Sequence, residues 1–405
     1  MRAYERLIKY ARIHTASRDG AAQTPSTACQ FDLSRLLAGE MREMGMESVH
    51  EDENAYVYGF LPASEGMEQK PCVGFIAHID TAPDFNGDKV KPRVIENYDG
   101  GEVKLGRSGR SLSPEQFPEL ADFKGRTLIC TDGESLLGAD DKAGIAEIMT
   151  ACEKIIDEKL PHGPIAVCFT PDEETGHGAA LLDRKRLGAD FAFTIDGEAV
   201  NEINYETFNA ASAHWEVKGL NVHPGSAKDT MINAALVAME INAMLPAGDV
   251  PGRTEGYEGF FHLTDMKGSV ERAALDYIVR DHDEHSFLAR KNTLRHIEKC
   301  INEKYGPGTA ALTISDEYRN MALPLKEHMD IVALAKGAVE KAGLRPVTAP
   351  VRGGTDGAQL SFRGLLCPNL GTGGYAFHGP FEHICAEDMD RAVEIILNIV
   401  SGNLR

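Results

Sequence analysis

The sequence predicts an α/β fold, a mostly parallel sheet covered by helices, interrupted by a smaller inserted α+β unit. Three observations carry that expectation. Short, nearly continuous apolar runs alternate with helix-period segments through the first half of the chain. Near residue 209 the texture changes to a strand and helix order of its own. After residue 321 it returns to helix, Gly-rich loop and final helix. The expected domains are therefore 1–208 with 321–405, and an insert at 209–320. A length of 405 residues, beyond the usual size of one domain, agrees with that division.

The first element is an amphipathic helix in MRAYERLIKYARIHTAS, where Tyr4, Leu7, Ile8 and Ala11 share a face. It has no continuous apolar stretch, so it does not read as a secretory signal. The next elements are apolar strands: VGFIA at 73–77, TLIC at 127–130, PIAVCFT at 164–170 and DFAFTI at 190–195. Between the second and third lies DDKAGIAEIMTACEKIIDEKL. Its Ala143, Ala146, Met149, Cys152 and Ile156 recur at helical spacing. Apolar strands joined through a helix belong to a parallel sheet buried on both faces, and all four runs are assigned to it. The insert reads as a strand near 211–219, a helix near 229–245, two strands over 259–281, a helix near 284–304 and a strand near 309–315. That β-α-β-β-α-β order is ferredoxin-like.

Composition narrows the function. Sixty-two acidic residues against 42 basic give a formal charge of −20. Nucleic acids and anionic membranes recruit basic patches, so neither is expected as a partner. No stretch reaches the roughly 18 apolar residues of a membrane span. The eight cysteines are scattered without a CxxC, and Cys130 and Cys168 sit inside apolar runs. They read as reduced, buried thiols of a cytoplasmic protein.

Chemistry gathers where strands end. VGFIA runs into His78 and Asp80, and TLIC is followed by Asp140 and Asp141. PIAVCFT is followed by Asp172, Glu173 and Glu174, and DFAFTI ends in Asp196. The carboxyl ends of parallel strands face one crevice, where ligands bind. Bare carboxylates gathered there repel one another, and a divalent metal removes the repulsion. Mixed histidine and carboxylate donors without a thiolate suit zinc or a near neighbour. Taken singly, His78 could be a core histidine, Asp140 a helix N-cap and Glu173–Glu174 a solvated turn. Four strand ends sharing the habit favour the metal. Other patterns fail: HEDEN at 50–54 ends in Asn54 where HExxH needs a second ligand, and GTGGYA at 371–376 precedes no apolar helix face.

Longer motifs carry a resemblance. These are HID at 78–80, TDGESLLGADDKAGIAEIMTA at 131–151, FTPDEETGHGA at 169–179, NVHPGSAKD at 221–229, TEGYEGFFHL at 254–263, YIVRDHD at 277–283, RGGTDGAQLS at 352–361 and GTGGYAFHG at 371–379. The chain resembles the peptidase T family of aminotripeptidases, in the clan of carboxypeptidase G, aminoacylase and carnosinase, from first helix to last. The resemblance implies a zinc-exopeptidase-like fold with the insert as a lid and dimerisation domain. It implies two Zn²⁺ per subunit: one on His78, Asp140 and Asp196, the other on Asp140, Glu174 and His378. The family's His, followed four residues later by Glu, fits His378 and Glu382, which leaves His383 as a loop histidine beside the site. Asp80 is expected to hydrogen-bond the other ring nitrogen of His78, and Glu173 to be the general base. The Asp140–Asp141 peptide is expected to be cis. His223 would stabilise the oxyanion, reaching across a homodimer in dimeric relatives. Arg280 and Arg352 would bind a substrate carboxylate, with Gly353 and Gly354 adding backbone donors. No position of the metal or base pattern departs from the family. The implied substrate is a small peptide, a tripeptide cut after its first residue.

Overall fold

The computed structural model describes residues 1–402. Its chain divides into two compact units: one of Met1–Tyr205, Met321–Ala349 and the segment from Thr355 onward, the other of Glu206–Asn320 with Pro350–Gly354.

The first unit is built on an eight-stranded sheet. The strands run in the order Glu47–Glu51, Val57–Leu61, Ile165–Thr170, Val73–His78, Phe191–Gly197, Asn369–Gly371, Glu202–Asn204 and Val347–Thr348. Val73–His78 pairs in parallel with both Ile165–Thr170 and Phe191–Gly197, which makes it the centre of the sheet. All six of its residues are buried, as strands covered on both faces must be. Antiparallel pairing appears toward the edges, where Val57–Leu61 joins Ile165–Thr170 and Glu202–Asn204 joins Asn369–Gly371.

One expectation is corrected. TLIC does not enter this sheet: Leu128–Cys130 lies in a separate four-stranded sheet, antiparallel to Arg93–Ile95 and to His383–Cys385. Its Leu128 and Cys130 serve a local cluster with Tyr98, Leu105, Leu120 and Phe123, while Ile129 joins the main core of the unit. A short apolar run states burial, not which sheet buries it.

The helix Ala139–Glu158 crosses the sheet and is buried along almost its whole length. Its first turn is irregular, because Asp140 and Asp141 have non-helical dihedrals and the peptide between them is cis. Close packing explains Gly144. A Cβ there would stand 1.9 Å from the Ile195 carbonyl oxygen and 2.5 Å from an Asp141 carboxylate oxygen. Only glycine lets the helix sit this close to the strand that carries Asp196.

The second unit is a four-stranded antiparallel sheet in the order Phe260–Gly268, Arg272–Asp281, Asn209–Lys218 and Ala310–Tyr318, with helices Ala234–Ala243 and Glu284–Tyr305. In chain order this is the β-α-β-β-α-β pattern read from the sequence. Alternate burial along Asn209–Lys218 and Arg272–Asp281 marks a sheet covered on one face. Trp215, Leu275, Val279, Phe287, Leu294 and Ile301 form its own core.

Candidate active site

In the first unit, strand ends and one helix start bring five predicted ligands together. His78 closes the central strand and is only 2% exposed. Its Nε2 lies 2.9 Å from Asp140 Oδ1 and 3.5 Å from Asp196 Oδ1. The second Asp140 oxygen faces the other way, 3.2 Å from His378 Nε2, and the same nitrogen is 2.9 Å from Glu174 Oε2. Asp140 therefore stands between the two histidines, one oxygen toward each. Ligand atoms of His78, Asp140 and Glu174 all lie within 4.8 Å of one another, and so do those of His78, Asp141 and Asp196.

Asp141 was not assigned a role from the sequence. Both its oxygens accept main-chain N–H bonds, from His78 at 3.1 Å and Gly144 at 3.2 Å. It ties the strand end to the helix start. Glu382, four residues beyond His378, plays a comparable part. Its carboxylate accepts from the backbone N–H groups of Leu137, Gly138 and Asp140 at 2.6, 2.7 and 2.9 Å. A buried acid thereby satisfies three donors in the turn that presents Asp140.

Asp80 is fully buried beside His78, with a twist on the expected contact. The nearest acceptor to His78 Nδ1 is the Asp80 main-chain carbonyl at 3.0 Å, with the carboxylate 3.4 Å away. The carboxylate accepts instead from the amides of Glu173 at 3.1 Å and Glu174 at 3.2 Å. Two fixed donors on the next loop hold it. Asp80 thus links the His78 strand end to the glutamate pair.

The electrostatics are those of a cation site. Burial pushes Asp196 and Glu174 each up to about 7, with Asp140 adding to the push on both. Glu173 is driven well above the ordinary carboxylate range by burial and then by the Asp196 charge. Asp140 goes the other way: burial raises it, but hydrogen bonds from His378 and His78 outweigh burial and hold it low. Hydrogen bonds to Asp140 and Glu174 raise His378 to about 11. The carboxylates around both histidines raise their proton affinity, against burial that lowers it. The Glu174 side chain is 4% exposed, yet its Oε1 has no hydrogen-bond partner among the described residues. An orphaned buried carboxylate oxygen, among imidazole and carboxylate donors, fits divalent metal ions of the zinc type.

His383 corrects the sequence reading. It is no loop histidine: it begins the strand His383–Cys385, is fully buried, and lies among Phe117, Phe123 and Tyr375. Its Nδ1 is 2.8 Å from the Phe381 carbonyl and its Nε2 is 3.3 Å from Glu119.

The remaining predicted residues belong to the second unit. His223 is exposed, and its Nδ1 accepts from the Gly225 N–H at 3.1 Å. Arg280 pairs with Glu317 at 2.9 Å, donates to the carbonyls of Ala211 and Val279, and stacks over Tyr318. Arg352 donates to the carbonyls of Gly256 and Glu258 and to Thr254 Oγ1, with Phe208 and Phe260 beneath its plane. Its guanidinium thus organises the TEGYEG loop. A Cβ on Gly354 would stand 2.9 Å from the Tyr318 ring, whereas Gly353 has open space around it.

Residues 136–402 match the model of peptidase family M20/M25/M40, and the chain belongs to that family of peptidases. It is an enzyme, a hydrolase. Among its relatives, peptidase T of Clostridium perfringens (strain 13 / Type A) is 50% identical over 400 residues, covering 98% of each chain. The resemblance read from the motifs is the relationship found. The fold is shared with aminopeptidase PepT from Bacillus cereus ATCC 10987, at TM-score 0.78 and 22% identity over 98% of this chain and 97% of that one. It is also shared with Bacillus subtilis YXEP, described as a dinuclear metal binding peptidase of the M20 family, at TM-score 0.65 and 14% identity over 98% and 97%. Among the described residues, no helix is long and apolar enough to cross a membrane.

Proposed function

We propose that this peptidase is a zinc-dependent tripeptide aminopeptidase, releasing the first residue of tripeptides. The observation that carries the reading is the pair of donor groups meeting at Asp140, with the orphaned Glu174 oxygen beside them. His78, Asp140 and Asp196 would hold one zinc; Asp140, Glu174 and His378 would hold the other. When bound, the two ions supply Lewis-acid polarisation of the scissile carbonyl and lower the pKa of the attacking water.

The chain's own residues do the rest. Glu173 accepts a proton from the attacking water on its carboxylate and gives it to the leaving amine. Burial raises its proton affinity, as a group that takes and then returns a proton requires. Asp80 holds the amides of Glu173 and Glu174, so base and ligand keep fixed headings in one turn. His78, buried and anchored at Nδ1, offers only Nε2. From the inserted segment, His223 would donate to the oxyanion and Arg280 would meet the substrate carboxylate, joined by Arg352 of the later segment with backbone support from Gly353 and Gly354. The domain limits 1–208, 209–320 and 321–405, the lid role of the insert and a homodimer through it belong to the same reading. So does a cytoplasmic setting, which the eight free cysteines support.

Turnover of Ala-Ala, Ala-Ala-Ala, Ala-Ala-Ala-Ala and acetyl-Ala, with chelator and after zinc is restored, tests this. The tripeptide should be preferred, with activity lost to chelator and regained with zinc. Preference for acetyl-Ala would replace the reading with a deacylase, and preference for Ala-Ala with a dipeptidase.

A further inference from the structure

The turn that carries Glu173 and Glu174 begins with Asp172, a residue to which the chemistry above gives no part. Asp172 is 1% exposed and adopts left-handed dihedrals, φ 58° and ψ 27°. An aspartate before a helical turn usually caps it, accepting from N–H groups two or three residues on. This one caps nothing. The amides of Glu173 and Glu174 are already taken by Asp80. The Asp172 carboxylate turns back instead to a distant segment of the same unit. It accepts from Ser26 N at 2.7 Å, Ser26 Oγ at 2.5 Å and Gln30 Nε2 at 2.7 Å. Ser26 is 3% exposed and Gln30 is fully buried. Ser26 Oγ also accepts from Arg18 N, and Gln30 Nε2 lies 3.3 Å from both Ser26 Oγ and Thr27 Oγ1.

A buried carboxylate with no cation in contact is costly unless several donors satisfy it. Here three donors do so, and each comes from residues 26–30. The main-chain carbonyl of Asp172 meanwhile accepts from His177 N at 2.9 Å and Thr175 Oγ1 at 3.1 Å, which closes the turn on itself. The turn is therefore gripped from two sides: Asp80 holds its amides and residues 26–30 hold its first carboxylate. From this geometry we infer that Asp172 is a positioning residue, fixing the heading of Glu173 through its bonds to Ser26 and Gln30. The inference rests on Glu173 being the general base. A displacement of about 1 Å in a reacting group costs on the order of 10²-fold in rate, so loosening this grip should act on kcat.

The test uses Gln30, which touches neither the donor groups nor Glu173. Gln30→Glu sets a second carboxylate against Asp172; Gln30→Leu removes the donor and serves if the charged variant folds poorly. At pH 8, kcat per fully metallated enzyme should fall about 10- to 100-fold. KM and zinc content should stay within about twofold, and backbone amide exchange should accelerate over 172–178. Adding Asp172→Asn to Gln30→Glu restores a donor facing an acceptor, and should return both kcat and exchange toward the parent. Unchanged kcat and exchange in the Gln30 variants would overturn the inference. So would a doubly substituted protein that folds and binds zinc but shows no recovery. Glu173→Gln is measured alongside. If that variant keeps its activity, the base reading fails, while exchange rates still decide whether Asp172 holds the turn. If it is inactive and the Gln30 variants are fully active, only the positioning inference fails.

Discussion

Glu173 and Glu174 are neighbours in sequence with similar burial, and one short turn gives their side chains different surroundings. Glu174 Oε2 meets His378, while no hydrogen bond to the Glu173 side chain is formed within the described residues. Glu173→Gln should keep both metals and lose about 10²- to 10⁴-fold in kcat, whereas Glu174→Ala should lose one metal equivalent. Elemental analysis beside kinetics distinguishes them, and metal loss in the Glu173 variant would mean that base and ligand have been exchanged. The two histidines near the C-terminus make a second pair. His378→Ala should deplete one of two zinc ions and abolish activity. His383→Ala should keep both ions, but it empties a site lined by Phe117, Phe123 and Tyr375, and should cost about 1–3 kcal/mol of stability. Thermal melts and metal analysis on the same samples decide it. Sequence spacing alone could not separate these histidines, since each stands four residues before a glutamate, Glu382 for one and Glu387 for the other. What distinguishes them is a strand, His383–Cys385, too short to show a period. Asp141, Asp172 and Glu382 were legible as acids near the site but not in their roles, because their partners are backbone amides and a segment 142 to 146 residues away.

The element that organises the site is the helix Ala139–Glu158, and its reading shows what periodicity can and cannot carry. Its existence and its burial were plain from the recurrence of Ala143, Ala146, Met149 and Cys152. Its irregular first turn left no trace in the periodicity, and the cis Asp140–Asp141 peptide found there was expected from the family resemblance alone. The same limit explains TLIC, whose apolar run is real and whose sheet is a different one. The helix also buries Glu147, with neither carboxylate oxygen hydrogen-bonded among the described residues. Burial, and then the charges of Asp388 and Asp390, raise its proton affinity well above the ordinary range. The folded state therefore keeps this proton after the unfolded chain has released its own near pH 4 to 5. Stability falls as pH rises from the unfolded value toward the folded one, and the whole penalty is present above both. Glu147→Gln removes an ionisation that the fold disfavours. Its melting temperature should match the parent near pH 4 and exceed it increasingly toward pH 8. A constant offset across that range would mean that the parent's Glu147 does not titrate with folding.

At the scale of the whole molecule, the chain leaves one unit after Tyr205, builds a second with its own core, re-enters the first at Met321, and lends the second only Pro350–Gly354 afterwards. The change in texture that marks this excursion was readable because the inserted sheet is buried on one face only, so its strands alternate while the central strands do not. Separate cores predict separable effects. His223 lies on an exposed turn of the inserted unit, so His223→Ala should leave zinc content and melting temperature unchanged. Under the proposed oxyanion role it should lower kcat by about 10²- to 10³-fold, since that contact forms mainly in the transition state. Complementation then asks which chain supplies the histidine. If the protein is the proposed homodimer, mixing His223→Ala protein with Glu173→Ala protein would give hybrids in which one site pairs an intact Glu173 with the other subunit's intact His223. If the site is shared between subunits of a homodimer, activity should return after subunit exchange, in proportion to the hybrid fraction measured by native mass spectrometry. Verified exchange without recovery would assign His223 to the site of its own chain and remove the catalytic reason for a dimer.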